Sequence, residues 1–424
     1  MHKTGFFSIG ISVGQALALR YTIFMPSPKR ILVLTPWVPY PVSGACQQDR
    51  FNGFLQLKDL GHEIHVIAKV HAFQNQDEIK AFFAGKGIPL TLVPYSPSLI
   101  KLLFKRLPRI LRTPGLIDGS ALEYTDPLYE RVVVDAVKSF KPDLAWIEYT
   151  FSWPVLRLLK PFGIPTIMKS SLDEPKNCRD ENGWSLSSVI KSIPKYPGER
   201  IAARESDFIF AISPIEEKIY RKLGAKRAGT LPLRGISECL RRKTHVEKDV
   251  LDVVFLSSSY SMGHNRDALD FILQKVVPLI RVQAPGKFRF HFTGKKFPKA
   301  SETYLGEDAR QTGFVPDIGE LLAKMDIAVC PWISGTGMQQ KVFEPLCRGL
   351  PLVTNHLAGY PVESGKEYLN AVTPEEYVQA LLELRSVPRR QEISDAAFAK
   401  TSVLFSKEAV QKIAQEAIEE VTKR

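Results

Sequence analysis

The sequence predicts an α/β protein of two doubly wound parallel sheets in series, facing each other across a cleft. Three observations lead there. The chain is 424 residues long, more than one typical hydrophobic core serves. Short apolar runs alternate with longer helix-like stretches, the mark of parallel strands covered on both faces. The alternation lapses once, at 234–248 (RGISECLRRKTHVEK), and then resumes. That polar, charged stretch reads as the connection between two domains, 29–236 and 249–404.

Residues 1–28 precede the first strand. The run 6–19 is mostly apolar and Ala16-Leu17-Ala18 resembles a signal cleavage site, but Gln15 interrupts it and the basic start is only His2-Lys3. The run is also short for a membrane span. The expectation is a disordered or over-annotated extension, with Met25 a natural start.

In the first domain the predicted strands are 31–35 (ILVLT), 63–68, 90–93, 143–147 (DLAWI), 165–168 and 208–212 (FIFAI). Helices are expected at 46–60, closed by Gly61, and at 127–140 and 214–223. In the second domain the strands are 252–256 (DVVFL), 288–292, 326–330 (DIAVC), 350–354 and 368–372. Asn265 is the expected N-cap of a long helix reaching 283. His62 and His65 flank a strand start and read as structural. The last segment, 394–424, carries Val410, Ile413, Ala414, Ala417, Ile418 and Val421 at helical spacing. Such a stripe needs a partner surface; on the second domain it would be an ordinary helix with a frayed charged end.

Composition narrows the function classes. The net charge of +12 suits an anionic partner: a nucleic acid, an acidic membrane surface or a phosphorylated ligand. No zinc-finger spacing or RNP-like aromatic motif occurs, so no nucleic-acid partner is expected. The five cysteines are an odd set without C-x-x-C, as for reduced thiols in a cytoplasmic protein. Segment 99–112 (LIKLLFKRLPRILR) interleaves eight large apolar residues with five basic ones and no acid. It reads as a membrane-surface segment, giving a peripheral place on the inner face of a membrane, or as a core helix with snorkelling cations.

The stretch 334–355 (SGTGMQQKVFEPLCRGLPLVTN) is the densest signal. Pro331 and the triplet Gly335-Thr336-Gly337 break a strand. Residues 338–347 then read as a helix with Met338, Val342, Phe343 and Leu346 on one side. A strand, a glycine turn and a helix N-terminus form an anion site, because free backbone N–H groups and the positive dipole end converge. Lys341 adds a charge one turn later. Glu344, at i+3 from Lys341, projects from the same face, and a carboxylate there suits a vicinal diol such as ribose. The alternative for this Lys–Glu pair is a solvated surface contact.

Taken together, ILVLTPWVPYPVSGACQQDRF with LGHEIHVI, then PDLAWIEY, SDFIFAISPIEEKIY, VVFLSSSYSMGHNRDALDFI, GFVPDIGELLAKMDIAVCPW and GTGMQQKVFEPLCRGLPLVTN, resemble one family in order and spacing. The chain from 30 to about 412 resembles the retaining GT-B glycosyltransferases, most nearly the family 4, or group 1, type. The resemblance implies two Rossmann-like domains, the first on the acceptor side and the second binding a nucleotide-sugar, with helix 405–424 crossing back onto the first domain. It implies Glu344 on the nucleotide ribose, Gly335, Gly337 and Met338 around the diphosphate, and Lys341 beside it. Gly44 matches the first domain's glycine loop, with Ala45 where a second glycine is usual. Thr336 stands where the family often has a second glutamate, so Thr336 and Asp173 are the catalytic candidates. Asp173 could equally be a cap before Pro175. Ser257-Ser258-Ser259 replaces a common Arg and Lys pair, leaving Lys295 or Arg266 to substitute, with His264 nearby. Pro345, in the place of an alanine, should kink its helix.

The function implied is retaining transfer of a hexosyl group from a nucleotide-diphosphate donor to a polysaccharide or lipid-linked glycan. The chain has no Asp-x-Asp, so no metal and no cofactor are expected, and the helix terminus with Lys341 must stabilise the leaving group. Two other readings are a nucleotide-sugar epimerase of the same fold and a non-catalytic nucleotide-sugar-binding protein.

Overall fold

The structure is a computed structural model that describes residues 27–95, 118–182, 185–331, 337–355, 357 and 359–423. Segment 99–112, Gly335, Thr336 and most of the N-terminal extension lie outside those residues.

Seven strands form the first sheet: β1 Arg30–Thr35, β2 Glu63–Val70, β3 Leu90–Pro94, β4 Leu144–Glu148, β5 Thr166–Lys169, β6 Phe208–Ala211 and β7 Ala228–Thr230. Their order is β3-β2-β1-β4-β5-β6-β7, all parallel. Six more form the second: β8 Leu251–Phe255, β9 Phe288–Thr293, β10 Ala309–Gly313, β11 Ile327–Cys330, β12 Leu352–Thr354 and β13 Leu369–Asn370. Their order is β10-β9-β8-β11-β12-β13, again all parallel. Each order reverses direction once, beside β1 and beside β8. In doubly wound sheets the crevice for ligands lies at that reversal, outside the strands' C-terminal ends.

The helices that position the site are α1 Ala45–Asp59, α2 Gln76–Gly85, α3 Pro127–Phe140, α4 Glu174–Asn182, α5 Lys195–Glu205, α6 Pro214–Leu223, α7 Gly263–Phe271, α8 Gln340–Cys347, α9 Val387–Phe405 and α10 Lys407–Thr422. Strand alternation sorts the first core. Leu32 and Leu34 point to one face, with Tyr129, Val133 and Val137 of α3. Ile31 and Val33 point to the other, with Phe51 and Phe54 of α1 and with Val410, Ala414, Ile418 and Val421 of α10. The chain's last helix therefore covers the first sheet. His62 bonds Gln415 at 3.0 Å, and Lys407 and Glu420 pair with Asp59 and Arg227. Among the described residues no helix is long and apolar enough to cross a membrane.

One expectation changes. Asn265 is not the cap of α7. The helix begins at Gly263 after Met262, and the Asn265 amide instead donates to Ser259 O at 2.9 Å and accepts from Lys341. The helix reaches Gln283 through a π-type turn, Ile272–Val276. The connection 234–248, polar and charged in sequence, is partly buried. Ile236, Cys239 and His245 are buried, Arg241 N donates to Cys347 O at 2.9 Å, and His245 Nε2 lies 3.3 Å from Gly349 O.

Arg234 opens that connection and is 2% exposed. Its guanidinium spans two carboxylates: Nη1 to Glu148 Oε1 at 2.7 Å and Nη2 to Asp49 Oδ2 at 2.7 Å. Lys169 Nζ pairs with Asp49 at 3.1 Å, and Trp146 Nε1 donates to Glu148 at 2.9 Å. Burial alone would raise the Asp49 carboxyl, but Arg234 and Lys169 hold it well below the usual carboxylate range. The guanidinium lies against α1 at Gly53, where a Cβ would stand 2.2 Å from Nη1. Removing one partner of a buried ion set leaves the others uncompensated. Arg234→Met should lower the unfolding free energy by about 3–5 kcal/mol. Chemical denaturation followed by circular dichroism measures this, and a loss within error of zero would contradict it.

Candidate functional site

The site forms where the loop before α8 meets the C-terminal edge of the first sheet. Gly337 has φ +75°, a left-handed backbone that suits glycine. A Cβ there would lie 3.1 Å from both Ile212 Cγ2 and Ser171 O, so a larger residue would crowd the first sheet. The Gly337 N–H donates to Glu216 Oε1 of α6 at 2.6 Å. Burial raises the Glu216 carboxyl above its ordinary range. Tyr360 OH closes the turn on Gly337 O at 3.0 Å. Met338 is buried, and its sulfur accepts from Leu233 N at 3.4 Å.

Helix α8 follows, with Gln339 at its N-cap position, whose own side chain does not cap the first N–H groups. Helix α1 likewise starts after Gly44 without a side-chain cap. Gln340 Nε2 joins the two termini, 2.9 Å from Gln48 Oε1 of α1 and 2.9 Å from Glu344 Oε2. Two helix N-termini thus flank one crevice, and each favours an anion.

Lys341 and Glu344 do not project side by side. Lys341 Nζ donates to Asn265 Oδ1 at 2.9 Å and lies 5.8 Å from the Phe255 ring, beneath the end of β8. Burial lowers its ammonium pKa. Glu344 turns to the connection instead. Its Oε1 accepts from Arg348 Nε at 3.1 Å, and the Cys239 thiol beside it is pushed up to about 12 by burial and by the Glu344 charge. Glu344 is only 5% exposed, so the solvated-surface alternative does not hold. The i+3 spacing predicted a shared ligand face, but each side chain follows its own partners.

The other candidates scatter. His264 precedes Asn265, and burial with the Lys341 charge lowers its imidazole to about 4, leaving it neutral at pH 7. Arg266 stands exposed on α7. Lys295 is exposed over the Phe314 ring at 4.3 Å, while its backbone pairs beside Ser259. Ala45 is exposed in the first turn of α1. Asp173 caps α4, accepting from Lys176 N at 3.2 Å, and burial raises its carboxyl. Among the described residues no group of three or more His, Cys, Asp or Glu could hold a metal ion.

Glu216 is the residue at this loop that the sequence reading missed. SPIEE shows the S-x-x-E spacing of a helix start, and Ser213 does accept from Glu216 N at 3.3 Å. In a capping box the glutamate reaches back to the cap's own N–H. Here its carboxylate crosses to Gly337, which only the packed structure reveals.

Beneath this contact lies a buried polar chain. Thr150 Oγ1 is 2.6 Å from Glu199 Oε1, Tyr220 OH is 2.8 Å from Glu199 Oε2 and 2.6 Å from Ser170 Oγ, and Ser170 Oγ donates to Leu172 O at 3.0 Å. Tyr220 has one proton for two neighbours. With Glu199 protonated, the donors run in one direction: Glu199 to Tyr220, Tyr220 to Ser170, Ser170 to Leu172 O. Burial pushes Glu199 up to about 8, aided by the charges of Glu174 and Asp173 against the bonds from Thr150 and Tyr220. The folded pKa is raised, so its stabilising effect is present at low pH. It is lost as pH rises from about 4.5, the ordinary value, through about 8. Glu199→Gln should therefore melt higher than the parent above pH 8 and flatten the melting temperature between pH 5 and 8. Parallel pH–melting curves for both proteins would refute this.

Residues 251–386, which hold β8, α7 and α8, match the family model of glycosyl transferases group 1. No curated protein matches the chain. Among solved structures, TarM is 11% identical, with 93% of this chain and 100% of that one covered and a TM-score of 0.68. A second, from S. aureus, is a TarM mutant solved with fondaparinux, α-GlcNAc-glycerol and UDP. HepE from Anabaena, solved with UDP-glucose, is 14% identical over 92% of this chain and 100% of that one, with a TM-score of 0.62. Sucrose-phosphate synthase from Thermosynechococcus elongatus is 13% identical over 92% and 98%, with a TM-score of 0.64. At these identities the likeness is one of fold, and that fold is GT-B.

Proposed function

We propose that the chain is a retaining glycosyltransferase. It takes a hexosyl group from a nucleoside-diphosphate sugar and passes it to a polysaccharide or lipid-linked glycan. One observation carries this reading: the stretch that matches glycosyl transferases group 1 contains a helix start whose N-cap side chain leaves it uncapped, followed within α8 by a half-buried lysine and a buried glutamate. The UDP-glucose complex of HepE supports a nucleoside-diphosphate donor. In this reading residues 29–236 with the α10 segment 405–424 form the acceptor side, and 249–404 the donor side.

The chemistry follows from the partners each group must exchange. Diphosphate oxygens take the N–H groups of Gly337 and Met338, so the Glu216 carboxylate gives way to the ligand. Lys341 adds charge from beneath, through the His264–Asn265 end of α7. Glu344 turns from Gln340 to the two ribose hydroxyls, a pairing with a charged acceptor worth about 1.5–3 kcal/mol. Leaving-group charge then falls on backbone dipoles and Lys341 without a metal, each such donor lowering the barrier by about 3 kcal/mol. Thr336 and Asp173 stay the candidates for orienting the acceptor hydroxyl.

Labelled UDP-, GDP- and ADP-sugars, incubated with and without glycan acceptors, test the reading. Transfer to the acceptor supports it. Donor isomerisation without acceptor would make the chain an epimerase, and binding without turnover a non-catalytic binder. Glu344→Ala should weaken nucleotide binding by about 1.5–3 kcal/mol in calorimetry. Unchanged affinity would remove Glu344 from the donor site. Transfer should also persist in excess EDTA, whereas abolition by EDTA and rescue by magnesium or manganese would overturn the metal-free assignment.

A further inference from the structure

Beside the loop after β1 lies a cavity of about 530 Å³, within the size range of small-ligand sites. Trp37, Tyr124, His71 and Phe73 line its apolar part. Trp37 packs 5.4 Å from Tyr124, and His71 stacks on Phe73 at 5.2 Å and 14°. The Trp37 ring is braced by the buried Arg50 guanidinium, 4.6 Å from its centre, which also bonds Thr35 Oγ1 and Trp37 O. Phe73 at the mouth is 85% exposed, a large apolar cost for a loop residue in water.

The polar part of the lining is amide and hydroxyl. Gln74 is committed, donating to Tyr40 O at 2.9 Å and accepting from His71 N at 3.0 Å, and it holds the loop in shape. Tyr40 OH bonds Glu78. Gln47 has no hydrogen-bond partner for its amide among the described residues. No Asp, Glu, Lys or Arg belongs to the described lining. Among these described residues a phosphate or carboxylate would find no countercharge, and an acyl chain would bury amides without partners. A ring with a C–H face for the aromatics and a hydroxyl edge for the amides satisfies both halves.

Position gives the cavity its meaning. Gln47 lines it, and Gln48, the next residue of α1, accepts from Gln340 of α8. Neighbouring residues of α1 thus touch the cavity and the first turn of α8. We propose that this cavity binds an uncharged sugar ring of the acceptor, stacked on the Trp37–Tyr124–Phe73 wall and read by Gln47. This rests on the transferase reading above and narrows its acceptor to a glycan with a neutral residue at the accepting end.

The full chain is titrated with methyl glycosides and disaccharides of glucose, galactose and mannose, and in parallel with glucose 6-phosphate, uridine and UDP. Saturation-transfer NMR reports sugar contacts and calorimetry reports UDP. Neutral sugars should bind, and Phe73→Ala and Gln47→Ala should each weaken them about tenfold. Phe73→Ala should leave UDP affinity unchanged. The exposure of Phe73 makes misfolding of that variant a poor excuse. The proposal fails if no neutral sugar binds, if both variants bind sugar like the parent, or if glucose 6-phosphate or uridine displaces it. Loss of UDP binding with sugar binding intact would sink the donor reading and leave the cavity standing.

Discussion

The first sheet, the helix that opens the crevice and the connection to the second sheet meet at one buried set of charges. Arg234 and Lys169 face Asp49 and Glu148, two cations against two anions, none with access to water. Desolvating four charges is costly, and the arrangement is tolerable only when all of them meet. That condition fixes α1 against the ends of β4 and β5, and so fixes Gly44, Gln47 and Gln48 at the crevice. It also fixes where the chain leaves the first sheet. Leu233, next to Arg234, bonds the Met338 sulfur, so the same set bears on the α8 loop.

The fold was legible because its strands are buried on both faces and therefore read as apolar runs. All eleven predicted strand cores need no more than two residues of adjustment at either end, although 368–372 shrinks to Leu369–Asn370. The two missed strands, AGT at β7 and ARQTG at β10, are edge strands. With one side unpaired and partly wet they need no apolar run, so no signal existed to find. Helix α4 (EPKNCRDEN) was missed for a related reason: it is polar throughout, and periodicity has nothing to act on.

The site was less legible than the fold. Local spacing located the α8 loop, because glycine, helix start and lysine are contiguous. It did not reveal which way Lys341 and Glu344 turn, since Asn265, Arg348 and Cys239 are distant in sequence. The carboxylate of Glu216 is the sharpest case. It lies 121 positions from Gly337 and accepts the N–H that the proposed reading gives to a ligand anion. A protein that seats its own carboxylate on a backbone anion loop keeps the two sheets together through the very contact a bound anion would replace.

The placement of α10 bears on how the chain is made. β7 ends at Thr230, yet one face of its sheet is covered by Val410, Ala414, Ile418 and Val421. During synthesis the first sheet is complete long before its cover exists. At about 5–20 residues per second, the remainder takes on the order of ten seconds or more to emerge. Through that interval Ile31, Val33, Trp146 and Ile167 lack part of their apolar cover, a stretch in which a nascent chain is open to chaperones and to wrong partners. Ribosome-bound chains halted before Lys407 would carry a sheet that is threaded but not yet sealed.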